Sequence, residues 1–239
     1  MTTMVKSYDR LSLHEGMALD LPYREGNGVL TRDVARPVRH AATLVGAPVW
    51  TQTPLANLTV LDFDGAGDYL ECDAADTADL DFTTGDYSLA VWVNWTAGAI
   101  SQIVLGRYAI DVDGWETYLT KIGAAESLTQ RHHHASLAPD RTGCYSLGWV
   151  PGQWWLLGIT RSGAYPLHYR NGVPLTMTYD VGGLLDPDSC NRDLVIGCRF
   201  SKDTNWYKGQ MWRPRIWSRS LSAFEMSMLF EMERSFFGV

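Results

Sequence analysis

Large apolar side chains recur at every second position in this sequence, and this alternation constrains the possible fold more than any other feature. The clearest example is Tyr87–Trp95, whose odd positions are Tyr, Leu, Val, Val and Trp. Side chains of an extended strand point alternately to opposite faces, so this spacing predicts a strand with its odd-numbered face in a core. Shorter apolar runs predict further strands at residues 154–159, 167–170, 194–197 and 215–217.

Turn-forming residues separate the predicted strands. Asn171-Gly172 follows one of them directly and favours a two-residue hairpin, because both residues tolerate a positive φ. Glycine-containing turns interrupt the chain at residues 64–67, 84–86, 113–114, 161–163 and 182–183. The polar stretch 124–143 is predicted to be a long loop or loosely ordered strands. With no linker or internal repeat in the sequence, we predict one domain over residues 1–239, with its core at about 19–236.

One helix is predicted near the C-terminal end. Ser222 followed by Glu225 is a capping-box pattern, which marks a helix N-terminus. Apolar residues then recur at helical spacing and predict an amphipathic segment: Leu221, Phe224, Met228, Leu229, Met232 and Phe236.

Composition and charge exclude several classes of protein. A hydrophobic content of 46% indicates a folded chain, yet no stretch approaches the roughly 20 apolar residues of a membrane span. The excess of 27 acidic over 20 basic residues gives a net charge of −7, which repels phosphate backbones and argues against a nucleic-acid partner. Residues 1–6 lack the apolar segment of a secretion signal. We therefore expect the protein to stay in the producing cell, or to leave it by lysis or within a particle.

The four cysteines are sparse for a chain of 239 residues: Cys72, Cys144, Cys190 and Cys198. This usage predicts small core residues rather than a disulfide framework, and no CxxC pair suggests zinc. A Cys190–Cys198 disulfide is the alternative, and it requires maturation in an oxidising medium.

Six segments, in order, resemble laminin-G-like domains of the concanavalin superfamily. They are LDLPYREGNG at 19–28, TLVGAPVW at 43–50, LDFDGAGDYLE at 61–71, DYSLAVWV at 86–93, the stretch from GQWW to YRNGV at 152–173, and the stretch from GQMW to IWSRSLS at 209–222. The resemblance implies an all-β, concanavalin-like jelly-roll β-sandwich of two antiparallel sheets with a short C-terminal helix. It also implies that the first and last strands lie side by side. Because the fold hosts lectins, adhesion modules, glycosidases and virus-particle proteins, function must be argued from a site.

Signatures of catalysis are weak. Related glucanases carry Glu-x-Asp-x-Glu on one strand face, and the nearest pattern here is DVDGWE at residues 111–116. A glycine interrupts it and Glu116 is out of phase, so we interpret the segment as a solvated turn. Adjacent residues of a strand point to opposite faces, so His132, His133 and His134 cannot all share one ion, and we predict an exposed loop there. No Ser-His-Asp or phosphate-loop signature is present, and the chain is not predicted to be an enzyme.

Two kinds of ligand site are predicted. Domains of the resembling family often hold a structural calcium ion, and Asp62, Asp64 and Asp68 offer the hard oxygen ligands it prefers, although they equally suit a tight polar turn. Four aromatic residues in polar or turn-rich surroundings are candidates for a sugar-binding platform or a subunit contact: Trp115, Tyr118, Trp206 and Tyr207. Four other tryptophans lie in strand patterns and are predicted to be core: Trp92, Trp95, Trp154 and Trp217.

The leading functional hypothesis is a non-catalytic structural or adhesive module. The most concrete version is a bacteriophage virion protein, a capsid decoration or tail component, which contacts other virion proteins or copies of itself as a homo-oligomer. The alternative is a lectin-like carbohydrate-binding module at an extracellular or cell-surface location. A glycoside hydrolase is the third hypothesis. No membrane or nucleic-acid partner is expected.

Overall fold

The computed structural model describes residues 12–35, 40–96, 98, 100–122, 125–135, 140–145, 147–181 and 183–239. Short strands dominate this part of the chain, with one α-helix, α1, at Ala223–Glu233. In chain order the strands are β1 Met17–Asp20, β2 Leu30–Arg32, β3 Ala41–Val45, β4 Val49–Gln52, β5 Thr59–Asp64, β6 Tyr69–Cys72, β7 Tyr87–Trp95, β8 Gln102–Ala109, β9 Asp113–Ile122, β10 Ala125–His132, β11 Asp140–Tyr145, β12 Trp155–Arg161, β13 Leu167–Arg170, β14 Val173–Pro174, β15 Tyr179–Val181, β16 Leu194–Ile196 and β17 Lys208–Trp217.

The strands form two sheets. The eight-stranded sheet has the order β14-β13-β12-β7-β17-β5-β4, with β1 also paired to β17, and the nine-stranded sheet has the order β15-β11-β10-β9-β8-β16-β6-β3-β2. Every pairing between described strands is antiparallel. The predicted fold class is therefore confirmed, and so is the prediction that the first and last strands are neighbours. Buried side chains of the two sheets form one hydrophobic cluster.

Strand β7 occupies the segment whose alternation predicted it, and it is buried on both faces. On the odd face, the Tyr87 hydroxyl lies 2.7 Å from His132 Nε2 of β10, so this face contacts the nine-stranded sheet. On the even face, the Trp92 ring stacks on Phe230 and Phe237 with centroids 5.8 and 4.3 Å apart. The eight-stranded sheet is thus covered on its outer face as well, by the C-terminal segment.

The last strand, β17, contains a bulge. Its register against β7 shifts between Trp212 and Arg215, and Arg213 has a φ of 51°. Trp212 and Arg215 are three residues apart, yet they pair with Trp92 and Ala90 of β7, which share one face. Because the bulge adds one residue to β17, Trp212 before it and Arg215 after it point to the same face of the sheet, under the helix.

Helix α1 begins with the predicted capping box, in which Ser222 and Glu225 bond to each other's backbone amides. Its buried residues are Met226, Leu229 and Glu233. The predicted apolar face is right in part: Leu221 and Leu229 are buried and Met228 packs against the core, whereas Phe224, Met232 and Phe236 are exposed. Met226 packs over Gly158 of β12, where an added Cβ would lie 3.0 Å from its sulfur. Glu233 is drawn inward by buried arginines, an interaction that hydrophobic periodicity does not reveal.

The polar stretch after residue 124 contains β10 and most of β11. The predicted exposed loop at His132–His134 is wrong, because all three side chains are buried. His132 lies within hydrogen-bonding distance of the Leu185 carbonyl, at 2.6 Å, and burial lowers its pKa to about 3. Gln130 donates to the Tyr87 hydroxyl at 2.7 Å. Polar residues are tolerated inside this sandwich because they bond to one another.

All four cysteines are free and buried, as the sparse spacing predicted. The alternative Cys190–Cys198 disulfide is absent; burial raises the pKa of both thiols to about 12. The hairpin at Asn171-Gly172 is also confirmed, since both residues have a positive φ and join β13 to β14. Within the described part of the chain, no helix has the length and apolar character needed to cross a bilayer.

Candidate functional site

The outer face of the nine-stranded sheet carries a pocket of about 190 Å³, which we call the outer pocket. Side chains of β8, β9 and β10 form its floor, and residues 197–207, the segment between β16 and β17, supply one side. Its polar lining residues include Glu116, Tyr118, Arg131 and Arg199. The volume is below the roughly 300–1,000 Å³ of pockets for drug-sized ligands, so it suits one unit of a larger molecule.

Alternation along β9 decides which side chains reach the pocket. Trp115 points inward, because its ring stacks on Tyr87 of the opposite sheet with centroids 5.8 Å apart. Glu116 and Tyr118 therefore share the outer face, and both line the pocket. Arg131 of β10 is directly opposite Glu116 in the strand register.

A buried carboxylate lies at the floor of the outer pocket. Glu116 is 2% exposed and accepts a hydrogen bond from Arg131 Nη1 at 3.0 Å. His133 Nε2 lies 3.2 Å from the same carboxylate oxygen. Arg131 also donates from Nη2 to the Tyr118 hydroxyl at 3.1 Å. The arrangement fixes a carboxylate, a guanidinium and a phenol in a single network.

A glycine in β8 makes room for this carboxylate. Gly106 pairs with Glu116, and an added Cβ there would lie 2.9 Å from both Glu116 Cβ and the Tyr108 ring. Tyr108 stacks on His133 with centroids 5.1 Å apart. Burial, and then the charge of Glu116, raise the pKa of Tyr108 far above its usual range. Tyr108 therefore presents a neutral phenol at the pocket.

The 197–207 segment is tied to the sheet below it. Asn205 donates from its side chain to the Ser101 carbonyl at 2.7 Å and accepts from the Ile103 amide at 3.0 Å. Phe200 packs against Tyr108 with ring centroids 5.3 Å apart. The segment thus forms a fixed wall of the pocket, from which Arg199 contributes its side chain.

Two of the four predicted binding aromatics are buried in the core. Trp115 is fully buried and donates to the Leu80 carbonyl at 2.9 Å. Tyr207 is also fully buried, with an edge-on contact to Phe63 at 5.7 Å. The expectation that these rings lie at the surface is wrong, because in both cases the neighbouring residues, Glu116 and Trp206, lie on the outer face instead.

The other two candidates lie on the outer face. Tyr118 lines the outer pocket, as described above. Trp206 is half-buried and packs against Tyr69 of β6, with ring centroids 5.9 Å apart. A binding role for Tyr118 and Trp206 stays a prediction. The four tryptophans predicted to be core are all buried: Trp92, Trp95, Trp154 and Trp217.

The acidic segment at 111–116 is only partly the solvated turn that we predicted. Asp111, with a φ of 57°, lies in the turn between β8 and β9, whereas Glu116 is inside the sheet network. The pairing of Glu116 with Arg131 and the contribution of Arg199 were not predicted from the sequence. The only indication in the sequence was that Glu116 directly follows Trp115, so that on a strand the two side chains point to opposite faces.

The carboxylates considered for calcium make turn contacts. Asp68 accepts from the backbone amides of Ala47 and Asp64 at 2.7 and 3.0 Å, and Asp64 accepts from the Ala66 amide at 2.7 Å. Among the residues that the structure describes, no group of three or more His, Cys, Asp or Glu side chains could hold a metal ion. Calcium binding stays a prediction.

Two larger hollows lie elsewhere. One, of about 420 Å³, is lined by Trp154, Trp155 and Arg170, and the other, of about 490 Å³, by Trp50 and Thr51. No carboxylate side chain is among the described residues that line either hollow. The outer pocket is distinguished by a buried ion pair next to a tyrosine ring.

Comparisons with known proteins agree with this fold. A laminin-G-like family model, described as the concanavalin A-like lectin/glucanases superfamily, matches residues 64–227, which include all the lining residues of the outer pocket. No curated protein sequence matches the chain.

Several solved structures are similar in fold. The receptor binding domain of botulinum neurotoxin D aligns with a TM-score of 0.67 and 15% identity, over 93% of this chain and 54% of that chain. The binding domain of Paraclostridial Mosquitocidal Protein 1 aligns with a TM-score of 0.69 and 12% identity, over 92% of this chain and 53% of that chain. The botulinum neurotoxin serotype D ligand binding domain in complex with N-acetylneuraminic acid aligns with a TM-score of 0.68 and 12% identity, over 92% of this chain and 52% of that chain. The chain spans about half the length of these structures, and the likeness shows a shared fold.

Proposed function

Because the chain belongs to the concanavalin A-like lectin/glucanase superfamily, we propose that it is a non-catalytic carbohydrate-binding module that holds its glycan in the outer pocket. The observation that carries the proposal is the Glu116–Arg131–Tyr118 network at the floor of an accessible pocket. We therefore place carbohydrate binding ahead of the virion role.

The chemistry of the outer pocket suits a sugar. Sugar rings carry hydroxyl groups, which bond to fixed polar groups, and C–H faces, which pack on aromatic rings. Glu116 and Arg131 supply an acceptor and donors that are held in place by each other, and the largely buried Tyr118 and Tyr108 are also lining residues of the pocket. Fixed partners bind a ligand with little loss of side-chain freedom.

Binding without hydrolysis is supported by the acidic groups present. Glycoside hydrolysis normally uses two carboxylates that flank the scissile bond, roughly 5–9.5 Å apart. Glu116 is the one carboxylate among the described residues that line the outer pocket, and it is engaged by Arg131 and His133. One of the structures similar in fold was solved in complex with a sugar, N-acetylneuraminic acid, which further favours a carbohydrate ligand.

The test is a glycan array followed by titration of the best ligand. Tyr118→Ala removes the ring from the pocket, and we expect affinity to fall about 10-fold or more, as for aromatic hot spots. Phe224→Ala is the matched control, because Phe224 is an exposed ring on α1, which covers the opposite sheet. Silence of the intact protein on the array, or equal affinity of Tyr118→Ala and the intact protein, would contradict the proposal.

A virion role is kept as a second proposal. It is favoured by exposed apolar side chains around α1, of which Phe224 is 74% and Met232 is 37% exposed, since such residues suit contact with a neighbouring protein. In this role the chain would join the particle as a capsid decoration or tail component, whereas the glycan-binding role implies an extracellular or cell-surface location. Co-sedimentation with capsids or tails, reduced in Phe224→Ser, is the expected result, and a monomer that ignores both would contradict it.

A further inference from the structure

We infer that the ligand of the outer pocket carries a carboxylate and that Arg199 is the residue that binds it. The inference rests on the proposed carbohydrate-binding function and narrows it to acidic sugars. Among the charged groups that line the pocket, Arg199 has no acidic partner within the described part of the chain.

The lining of the outer pocket carries more positive than negative charge. Its charged side chains are Arg131, Arg199 and Glu116. Glu116 pairs with Arg131 at 3.0 Å, which neutralises both. Arg199 makes no ion pair with any residue that the structure describes, so one guanidinium in the pocket wall lacks a counter-charge.

Arg199 also has an unused donor. Its Nε is buried and has no hydrogen-bond acceptor within the described part of the chain, and its guanidinium lies 5.5 Å from the Phe200 ring centroid. A buried donor without an acceptor is costly, and a ligand that supplies the acceptor removes this cost. The planar fork of arginine matches the two oxygens of a carboxylate.

The backbone around Arg199 is fixed before any ligand arrives. Its amide donates to the Thr204 carbonyl at 3.2 Å, and its carbonyl accepts from the Lys202 amide at 2.8 Å. The adjacent Phe200 packs on Tyr108 of the pocket floor. Arg199 therefore projects from a closed turn rather than from a free loop, which favours its use in recognition.

Nearby acids are already paired with another cation. Lys202 donates to Glu71 at 2.5 Å and to Asp193 at 2.8 Å. These two carboxylates, which lie on the same side of the sheet as Tyr69, are thereby removed as partners for Arg199. Arg199 therefore remains as a positive group at the pocket, next to the paired cluster of Lys202, Glu71 and Asp193.

The experiment compares glycans that differ only in a carboxylate, using the full chain. Suitable pairs are sialyllactose with lactose and a glucuronic-acid-terminated disaccharide with its glucose counterpart, and sulfated lactose tests the other common anionic group. We expect the acidic member of at least one pair to bind about 10-fold more tightly. Added salt is expected to shrink the ratio, because charge attraction at an accessible site is screened.

Variants then assign the effect to Arg199. Arg199→Gln is expected to bring the acidic-to-neutral ratio close to one with an unchanged thermal midpoint, while Arg199→Lys retains part of the preference. Arg234→Gln makes the same charge change after α1, over the opposite sheet, and is expected to keep the full ratio.

The outcomes separate the inference from the proposed function. Equal binding of acidic and neutral members, preference for the sulfate alone, or an acidic preference that survives in Arg199→Gln would overturn the inference and leave carbohydrate binding in place. Loss of the preference in Arg234→Gln as well as in Arg199→Gln would show a general charge effect and would also overturn it. No binding to any glycan would overturn the proposed function, and the inference with it.

Discussion

The two outer faces of the sandwich contain similar charged groups in opposite settings. The outer face of the eight-stranded sheet lies beneath α1, whereas that of the nine-stranded sheet carries an accessible pocket. On each face a glutamate is paired with arginine. The difference lies in how many of the charged groups find partners within the protein.

Under α1 the network is closed. Glu233 accepts from Arg213 and from both terminal nitrogens of Arg215, all at 2.8 Å, and from Trp92 Nε1 at 2.8 Å. Arg213 in turn makes a two-pronged contact with Asp20, with both distances 2.9 Å. Two arginines and two carboxylates thus pair with one another, while Arg215 Nε has no acceptor among the described residues, and these ion pairs hold the helix to the sheet.

In the outer pocket the network is left incomplete. Glu116 and Arg131 pair, but the Arg131 side chain is 19% exposed and Arg199 has no carboxylate partner among the described residues. Pairing of an arginine with a glutamate therefore does not by itself indicate function, and we base the proposed site on the arginine that has no carboxylate partner at an accessible pocket.

The largest effect is expected from Glu233→Gln. The variant leaves the buried Arg215 guanidinium without its carboxylate partner, whereas Arg213 keeps Asp20, and breaking such a buried pair costs about 3–5 kcal/mol. Urea unfolding measures the loss. Glu231→Gln, in which the side chain is 58% exposed, is the control and is expected to change stability by less than about 0.5 kcal/mol. If Glu233→Gln lowers the free energy of unfolding only slightly, the proposed difference between the network under α1 and that in the outer pocket is wrong.

Glu116→Gln is expected to cost less stability, about 1–3 kcal/mol, and to weaken glycan binding. Water can reach Arg131 when the carboxylate is gone, which is not so for Arg215, whose side chain is 1% exposed. Unfolding and glycan titration of the same variant separate the two roles. A stability loss equal to that of Glu233→Gln, with glycan affinity unchanged, would show that Glu116 is structural only.

The smallest effect concerns pH and the inner side of β10. Burial lowers the pKa of His132 to about 3 in the folded state, whereas an unfolded histidine titrates near pH 6.5. The unfolded chain therefore binds more protons below that pH, and stability falls as the pH falls. This residue contributes a loss of about 1 kcal/mol between pH 7.5 and 5.5. His132→Gln is expected to flatten this part of the stability profile, and an unchanged slope would contradict the assignment.

Features set by nearby residues could be predicted from the sequence. The alternation in Tyr87–Trp95, the Asn171-Gly172 hairpin and the Ser222–Glu225 capping box all depend on contacts within a few residues, and all three are confirmed. The sandwich itself followed from the order of such elements and from the family resemblance.

The candidate site could be predicted only in part, because it is assembled by strand register. Glu116, Arg131 and Arg199 come from β9, β10 and the 197–207 segment, and nothing local shows that they meet. Trp115 was assigned to the surface because its neighbours are polar, yet the phase of β9 turns it inward. The burial of His132 was missed for the same reason, because its partners Tyr87 and Leu185 come from distant parts of the chain.

The position of β17 has a consequence for how the chain is made. This strand follows all the other described strands in the sequence, yet it lies between β7 on one side and β5 and β1 on the other. Its Arg213 contacts Asp20 across 193 residues of sequence. During translation, β7 and β5 therefore wait with unpaired edges until the final segment emerges. Such non-local pairing slows folding, and we expect a nascent chain stalled before β17 to depend on chaperones or to aggregate.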